Sequence, residues 1–542
     1  MSAPPASECV DAGDTTWVLL STILVLGMMP ALAFFEAGLL RRKNTLSIIT
    51  EVFVGLALMQ LMWYMVGFSL VYDDDNWGVI GGFDYIFLNG LGNVCVPNAP
   101  TIPGLAFASF QSMFAAVTPL LMTGAVAERM KFRSFLLFII LWELLVYYPL
   151  AHWIWGQGFL KQWGVFDFAG GIVIHTSSGT SSLVLAMFLG HRQDFDKYHG
   201  EFPPHNIPLA ALGTALLWMG WYGFNAGSAL SAGTVAAYAI SATTVASSVG
   251  VIVWSCLSLF RHRHVHTVAV LNGAIAGMAG ITPVSGYIES SWAAFVAVII
   301  AVSAYLGIIL FKDKLRIDDA LDVSSVHGVT GALGSIAVGF FASQSVNPDG
   351  PNGWIYGNFS QVYIQICAVL LTMAYSAFWT VILLFTFRLS KFFKLNVEED
   401  IERVGLDYYY HGDVAYHHLE TLDTDELDKL TSATIEAVRH ESHTEGDQTG
   451  NEEFVIYDSD TGSAYARSFL SVQEDRGRQR VSSFEVGEES HLLSVDEANA
   501  RQATASATRS RPMVFVRQDS VLSVPEDVRR GLDARKAGGI RL

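Results

Sequence analysis

The strongest constraint on this chain is a series of eleven apolar segments, each about as long as a membrane is thick. A hydrocarbon core of roughly 30 Å needs about 20 residues of helix, and only helices or closed barrels satisfy their backbone there. The sequence therefore predicts an all-α, polytopic membrane protein. The predicted spans are 17–40, 46–71, 104–127, 134–155, 168–190, 207–228, 239–260, 265–283, 291–311, 323–343 and 361–387.

Charge is distributed unevenly along the 542 residues. Up to Lys394 there are 17 Lys and Arg against 21 Asp and Glu, a net charge of −4. From Leu395 onwards there are 16 against 30, a net charge of −14. The chain is therefore a nearly neutral apolar part followed by an acidic tail. It carries no basic surface of the kind that binds nucleic acid.

Basic residues predict the orientation of the spans. Of the 17 Lys and Arg before residue 395, 16 follow odd-numbered spans, and the exception is Lys161. Loops rich in Lys and Arg stay in the cytosol. We therefore expect residues 1–16 to be extracellular, 17–390 to form the membrane domain and the tail to be cytosolic. A cleavable secretory signal is not expected, because residues 1–17 contain no basic residue.

An internal repeat divides the membrane domain. The pattern D-x7-H-x3-G occurs near the start of the fifth span, with His175, and again near the start of the tenth, with His327. Five spans separate the two copies, so the halves have opposite orientations. Such 5+5 inverted repeats place a site at the membrane midplane between them. The eleventh span lies outside the repeat.

The two histidines are the residues most indicative of chemistry. One buried histidine is often structural, but a pair at equivalent positions of an inverted repeat can meet and share a proton. Asp167, at the start of the fifth span, is either a helix cap or part of the field that attracts a cation. Glu36 and Glu143 lie within spans and have no assigned role.

Motifs spread along the chain are similar to those of the ammonium transporter (Amt/Mep/Rh) family, and of its Amt/Mep branch in particular. They cover roughly residues 17–420, and the segment 220–228 (GWYGFNAGS) is close to a signature by itself. The other matching segments are 34–39, 42–44, 110–114, 124–129, 151–153, 167–175, 204–206, 281–283, 318–319 and 326–328.

The resemblance implies roles for several aromatic residues that composition alone would assign to the core or to membrane interfaces. It implies an outer substrate site at Phe114, Trp155 and Ser228, where ammonium stacks on aromatic faces. It also implies a phenylalanine gate and a lined pore. The gate and pore residues are Phe110, Phe114, Phe224 and Trp221.

The resemblance implies a transport mechanism in which ammonium loses its proton, NH3 crosses the pore, and His175 and His327 relay the proton. The expected partners are ammonium or ammonia, with methylammonium as a further substrate, and the lipid bilayer of the plasma membrane. The family also implies a homotrimer. No cofactor, metal or enzymatic activity is expected, because the sequence shows no nucleophile–base set, phosphate loop or metal cluster.

The alternative function is an ammonium sensor that signals through the tail. Residues 391–420 are similar to the family's cytosolic regulatory segment, and 421–542 are expected to be disordered because they are polar and acidic. The motif Leu-Ser-Val with Glu three residues after the serine occurs three times. It predicts kinase or docking sites at Ser471, Ser494 and Ser523.

Two features of the predicted outer side are weaker signals. Cys9 and Cys95 share an oxidising compartment in this topology, so the sequence allows a disulfide between them. Asn358 begins a glycosylation sequon that lies close to the eleventh span.

Overall fold

The computed structural model describes residues 6–76, 78–92, 94–390, 393–416, 451–457, 464–475 and 478–487. Within these ranges ten helices are long and apolar enough to cross a membrane, and an eleventh apolar helix has 15 residues. In chain order they are α1 Ala12–Leu39, α2 Arg42–Tyr72, α3 Gly104–Val126, α4 Phe132–Trp163, α5 Gly171–Leu189, α6 Ile207–Gly227, α7 Thr234–His262, α8 Thr267–Ile281, α9 Ser290–Lys314, α10 Ser324–Phe341 and α11 Ser360–Leu389. The predicted helical membrane fold is confirmed.

Short elements connect the spans at the two ends of the bundle. A helical turn, Ala6–Cys9, precedes α1, and a two-residue hairpin, β1 Asp75–Asn76 with β2 Ile80–Gly81, follows α2. After α11 comes a short helix, α12 Glu399–Val404, and a single π turn, Asp407–His411. We call the end at which the odd-numbered spans finish the basic end, and the other the opposite end.

The two copies of the D-x7-H-x3-G pattern adopt the same local structure. In each, the aspartate caps a π turn, Gly171–Thr176 in α5 and Ser324–Val329 in α10. A π turn widens the helix by one residue and is frequent at functional sites. Each turn carries its histidine as its fourth or fifth residue, so the repeat seen in the sequence is also a structural repeat.

The glycine of each copy allows α5 and α10 to cross in close contact. A Cβ added at Gly179 would lie 2.2 Å from the backbone nitrogen of Gly328. A Cβ added at Gly331 would lie 2.6 Å from the Cβ of His175. Small residues at helix crossings let backbones approach in a membrane. Only glycine fits at either position, which explains why the pattern includes one.

A three-stranded antiparallel sheet forms within the acidic tail. Its strands are β3 Asn451–Tyr457, β4 Ala464–Asp475 and β5 Arg478–Gly487, in the order β3-β4-β5. These segments differ from the expected disorder because they are enriched in aromatic and β-branched residues, which favour strands. Ser471 lies on β4, whereas Ser494 and Ser523 lie outside the described residues.

The crossing of α5 and α10 predicts a large effect of adding one methyl group. Gly179→Ala places a carbon against backbone that cannot move aside, so we expect it to lower the free energy of unfolding by about 1–3 kcal/mol or more. Thermal unfolding of the detergent-solubilised protein measures the effect. Gly92→Ala is the control, because nothing lies within 4 Å of its added Cβ. Equal melting of both variants would contradict the packing argument.

Candidate functional site

The two histidines meet at the crossing of α5 and α10. Their Nδ1 atoms lie 3.2 Å apart, and their ring centroids are 5.1 Å apart. Both side chains are buried, with 1% and 7% of their surface exposed for His175 and His327. At this separation one Nδ1 can donate a proton to the other. The two rings can therefore share a proton.

Aromatic rings hold the orientation of His175. Its imidazole is nearly parallel to the rings of Trp221, at 5.7 Å, and Phe224, at 6.1 Å. The Trp221 indole is fixed in turn by a 2.9 Å hydrogen bond from its Nε1 to the hydroxyl of Thr282. The Nε2 atom of His175 has no hydrogen-bond partner among the residues that the structure describes. It remains available to a small molecule in the cavity beside it.

A narrow cavity of about 30 Å³ lies beside the histidines. This volume admits about two molecules the size of water. Apart from His175, His327 and the Trp221 indole, the side chains that line it are apolar. They are Met28, Leu32, Phe35, Val117, Leu121, Leu217, Phe224 and Ile275.

The predicted gate forms a packed column of rings above this cavity. The ring centroids of Phe114 and Phe224 are 4.5 Å apart, and those of Phe110 and Phe114 are 4.9 Å apart. All three phenylalanines are at most 1% exposed. The column therefore closes the route from the opposite end to the histidines.

The predicted outer-site residues lie where this column approaches the opposite end. The Trp155 ring centroid is 6.1 Å from that of Phe114, and both Trp155 and Ser228 are partly exposed. The Ser228 hydroxyl donates to the carbonyl of Phe224 at 2.9 Å, so its oxygen lone pairs remain able to accept a hydrogen bond. The structure thus brings all the sequence-predicted site residues of this group together.

The Asp167 carboxylate caps the N-terminus of α5. Its two carboxylate oxygens accept hydrogen bonds from four successive backbone N–H groups, residues 170 to 173, at 2.7–3.1 Å. Its own carbonyl accepts from the Trp155 indole at 2.8 Å. Asp167 therefore connects the outer aromatic residue with the π turn that carries His175, and its side chain acts as a helix cap.

The basic end holds a buried ion cluster that sequence reasoning missed. The Arg192 guanidinium donates two hydrogen bonds to the Asp318 carboxylate, at 2.8 and 3.0 Å, and forms an ion pair with Glu128 at 3.0 Å. Arg129 lies 3.3 Å from Asp318. Burial alone would raise the pKa of Asp318, but the positive charges of Arg192 and Arg129 outweigh it and lower that pKa to about 2.

The segment 393–416 packs against this cluster. Glu402 of α12 contacts Arg41 at 3.2 Å. The Asp407 carboxylate accepts from the backbone N–H groups of Leu46 and Ser47, at 3.0 and 2.7 Å, near the start of α2. Tyr409 in this segment is 41% exposed. Glu398 also pairs with Lys131 at 2.7 Å, so charged contacts join the segment to the loops after α1 and α3.

The remaining predicted residues lie at the opposite end. Cys9 and Cys95 are joined by a disulfide, with a Cα–Cα distance of 6.4 Å. Asn358 is two residues before α11, and its side-chain oxygen accepts from the Ser360 hydroxyl at 2.5 Å.

Comparison with known proteins gives the family. Residues 16–416 match the Ammonium Transporter Family. The chain belongs to this family. Ammonium transporter 1 of Dictyostelium discoideum is 54% identical over 411 residues, which cover 76% of this chain and 88% of the relative. Ammonium transporter 1 of Schizosaccharomyces pombe is 35% identical, covering 81% of this chain and 88% of the relative.

Solved structures of the family share the fold. The crystal structure of Saccharomyces cerevisiae Mep2 matches with a TM-score of 0.69 and 34% identity, over 73% of this chain and 91% of that one. A structure described as a sensor Amt protein matches with a TM-score of 0.68 and 27% identity, over 74% and 98%. These neighbours confirm the Amt/Mep assignment made from the motifs.

The buried ion cluster predicts that the stability of the folded protein depends strongly on the Asp318 carboxylate. Asp318→Asn removes the anion shared by two buried guanidinium groups and leaves Glu128 as the one carboxylate that the structure shows in contact with Arg192, so we expect the free energy of unfolding to fall by about 3–5 kcal/mol. In the wild type this contribution is present above about pH 4, the unperturbed value, and is lost as the pH falls through about 2, because the folded state lowers the pKa. Thermal unfolding across pH measures both effects.

Asp313→Asn is the matched control for this variant. Asp313 pairs with Arg261 at 2.7 Å, but both side chains are partly exposed. We expect it to cost less than about 1 kcal/mol. A similar loss of stability in both variants would contradict the role assigned to the buried cluster.

Proposed function

We propose that this chain is an ammonium transporter that binds ammonium at the outer site, deprotonates it, passes NH3 through an apolar pore and relays the proton through His175 and His327. The observation that carries the proposal is the pair itself, two imidazoles with their Nδ1 atoms 3.2 Å apart beside a cavity with otherwise largely apolar walls. An apolar cavity suits neutral NH3. A histidine pair suits the proton, because its unperturbed pKa of about 6.5 lies near physiological pH.

The substrate cation first binds at the outer site. Aromatic faces of Phe114 and Trp155 attract it with about 0.5–2 kcal/mol by cation–π interaction. The Ser228 oxygen accepts one of its N–H groups. The Trp155 indole donates a hydrogen bond to the carbonyl of Asp167, and the Asp167 carboxylate accepts four backbone hydrogen bonds. This carboxylate adds a negative charge to the field at the outer site.

Loss of the proton makes passage of the gate possible. An intact cation costs at least about 2.5–3.5 kcal/mol at the centre of a membrane. The phenylalanine column and the cavity below it offer a cation no carboxylate or carbonyl ligand among the lining side chains. NH3 crosses cheaply, whereas K⁺ has no proton to give up and is rejected.

The two histidines carry the proton that ammonium has lost. His175 Nε2 is the free ring nitrogen beside the cavity, and its Nδ1 faces that of His327. A proton taken up on one imidazole displaces the proton shared between the two, and the pair passes it across the midplane. Movement of NH3 and H⁺ together transfers one charge, so the transport is electrogenic.

The membrane context of the proposal follows from the charges. We assign the basic end to the cytosol and the opposite end, with the Cys9–Cys95 disulfide and the Asn358 sequon, to the outside of the plasma membrane. Three copies would assemble as the family's trimer. Methylammonium fits the same outer site as a second substrate.

The sensor alternative has little support. The curated relatives described above are named transporters. Of the three serines that suggested signalling, Ser471 lies on β4, whereas Ser494 and Ser523 lie outside the described residues. Deletion of 421–542 separates the two functions, because a transporter retains ammonium uptake without them.

Growth of a transport-deficient yeast on limiting ammonium tests the proposal. We expect wild type to restore growth, and His175→Ala and His327→Ala to lower ammonium uptake about 10²-fold or more, as for loss of an essential proton-transfer group. His191→Ala is the control, because His191 is exposed at the basic end. Rescue by both pore-histidine variants would contradict the proposal, and failure of His191→Ala would show that the loss is not specific.

A further inference from the structure

Gln365 is a fully buried amide of α11 that the proposed transport mechanism does not use. Its side-chain oxygen accepts from the backbone N–H of Phe166 at 3.0 Å, and its side-chain nitrogen donates to the Phe166 carbonyl at 2.8 Å. Because a backbone N–H only donates and a carbonyl only accepts, these two bonds fix which way the amide points. Gln365 thus holds both backbone polar groups of one residue in the segment that leads into α5.

The segment around Phe166 forms neither helix nor strand, so its backbone needs partners from elsewhere in the bundle. The nitrogen of Gln365 also donates to the carbonyl of Ser335 in α10, at 3.0 Å. Gln361, one turn earlier on the same face of α11, donates to the Gln365 oxygen at 3.3 Å and to the Gly164 carbonyl at 2.9 Å. The eleventh span, which lies outside the repeat, therefore joins the segment before α5 to α10 through a buried amide.

This segment holds the aromatic residue of the outer site. Phe166 precedes Asp167, whose carbonyl accepts from the Trp155 indole at 2.8 Å. On the other side of Asp167, the backbone N–H of Phe168 donates to the Pro283 carbonyl at 3.1 Å. The backbone is therefore fixed immediately before and immediately after the carbonyl that the indole contacts. The position of the indole depends on both contacts.

The second copy of the repeat holds the equivalent backbone with a charged group. There the residue before the capping aspartate is Asp318, and its carbonyl accepts from the Arg129 guanidinium at 2.7 Å. In the first copy the carbonyl of Phe166 accepts instead from the neutral amide of Gln365. A positive charge near the outer site would repel a cation. A neutral donor fixes the backbone without this repulsion, which suits a segment that serves a cation site.

We propose that Gln365 is a positioning residue for the outer site, which fixes the backbone at Phe166 and Asp167 and so holds the Trp155 ring where the substrate cation binds. Hydrogen bonds between identified atoms carry both non-covalent steps, from the amide to the Phe166 backbone and from the indole to the Asp167 carbonyl. Gln365 acts through Trp155, so its loss weakens binding at the outer site and leaves passage through the pore unchanged.

This inference rests on the proposed transport of ammonium, and its test uses the full chain in oocytes. The measurements are the ammonium concentration that gives half-maximal current and the maximal current, corrected for the amount of protein at the cell surface. Gln365→Met removes the hydrogen bonds of the amide with little change in volume. We expect it to raise the half-maximal concentration about fivefold to tenfold, on the scale of one lost hydrogen bond, and to change the maximal current by less than about twofold.

Thr380→Val is the matched control. Thr380 lies on the same helix, is equally buried and donates a hydrogen bond of 2.9 Å to the Ser181 hydroxyl, but it lies about 22 Å from Gln365 along α11. Both variants should melt at a lower temperature than the wild type, and only Gln365→Met should shift the half-maximal concentration. Equal shifts in the two variants would overturn the inference.

A double-mutant cycle with Trp155→Phe tests whether the effect passes through the indole. This variant keeps an aromatic ring but has no N–H to donate to Asp167. In its background we expect Gln365→Met to add less than about twofold, because residues that act through one contact are not additive. The full shift of Gln365→Met in this background would overturn the inference.

Gln361→Met is a milder variant for the case in which Gln365→Met does not reach the cell surface. It keeps the Gln365 amide but removes the hydrogen bond that Gln361 donates to it. We expect it to raise the half-maximal concentration by about twofold to threefold. A wild-type value in either glutamine variant would overturn the inference. Absence of any ammonium current in the wild type would instead contradict the proposed function.

Discussion

The close crossing of α5 and α10 is the constraint on which the rest of the site depends. Gly179 lies against the backbone of Gly328, and Gly331 lies against His175, so neither helix can carry a side chain at these positions. Because the backbones touch, the two imidazoles are brought within hydrogen-bond distance of each other. The pore is built around this contact, with the cavity beside the two histidines and the phenylalanine gate above the cavity.

Polar groups in such a bundle must be satisfied internally, since lipid supplies no hydrogen bonds. The carboxylate of Asp167 accepts hydrogen bonds from the backbone N–H groups at the start of α5. The carboxylate of Asp319 accepts from the N–H and the hydroxyl of Ser324 at the start of α10. The same residues set the local charge. Stability and electrostatics thus depend on the same side chains.

The sequence predicted the spans, the inverted repeat and the histidine pair, because hydropathy and a spaced motif are local signals. Family resemblance identified the aromatic residues, which composition alone would assign to the core. Contacts between residues far apart in the sequence could not be predicted from the sequence. The bond from Trp221 to Thr282 and the cluster around Asp318 depend on how helices pack, and no periodicity in the sequence reports that.

The central claim is that NH3 crosses the apolar pore while His175 and His327 relay the proton that ammonium has lost. Two-electrode recording of currents evoked by ammonium and by potassium, in wild type and in His175→Ala, tests it most directly. The account predicts an ammonium current without potassium current in the wild type, and loss of that ammonium current in the variant. An ammonium current that persists in His175→Ala, with potassium still excluded, would contradict it.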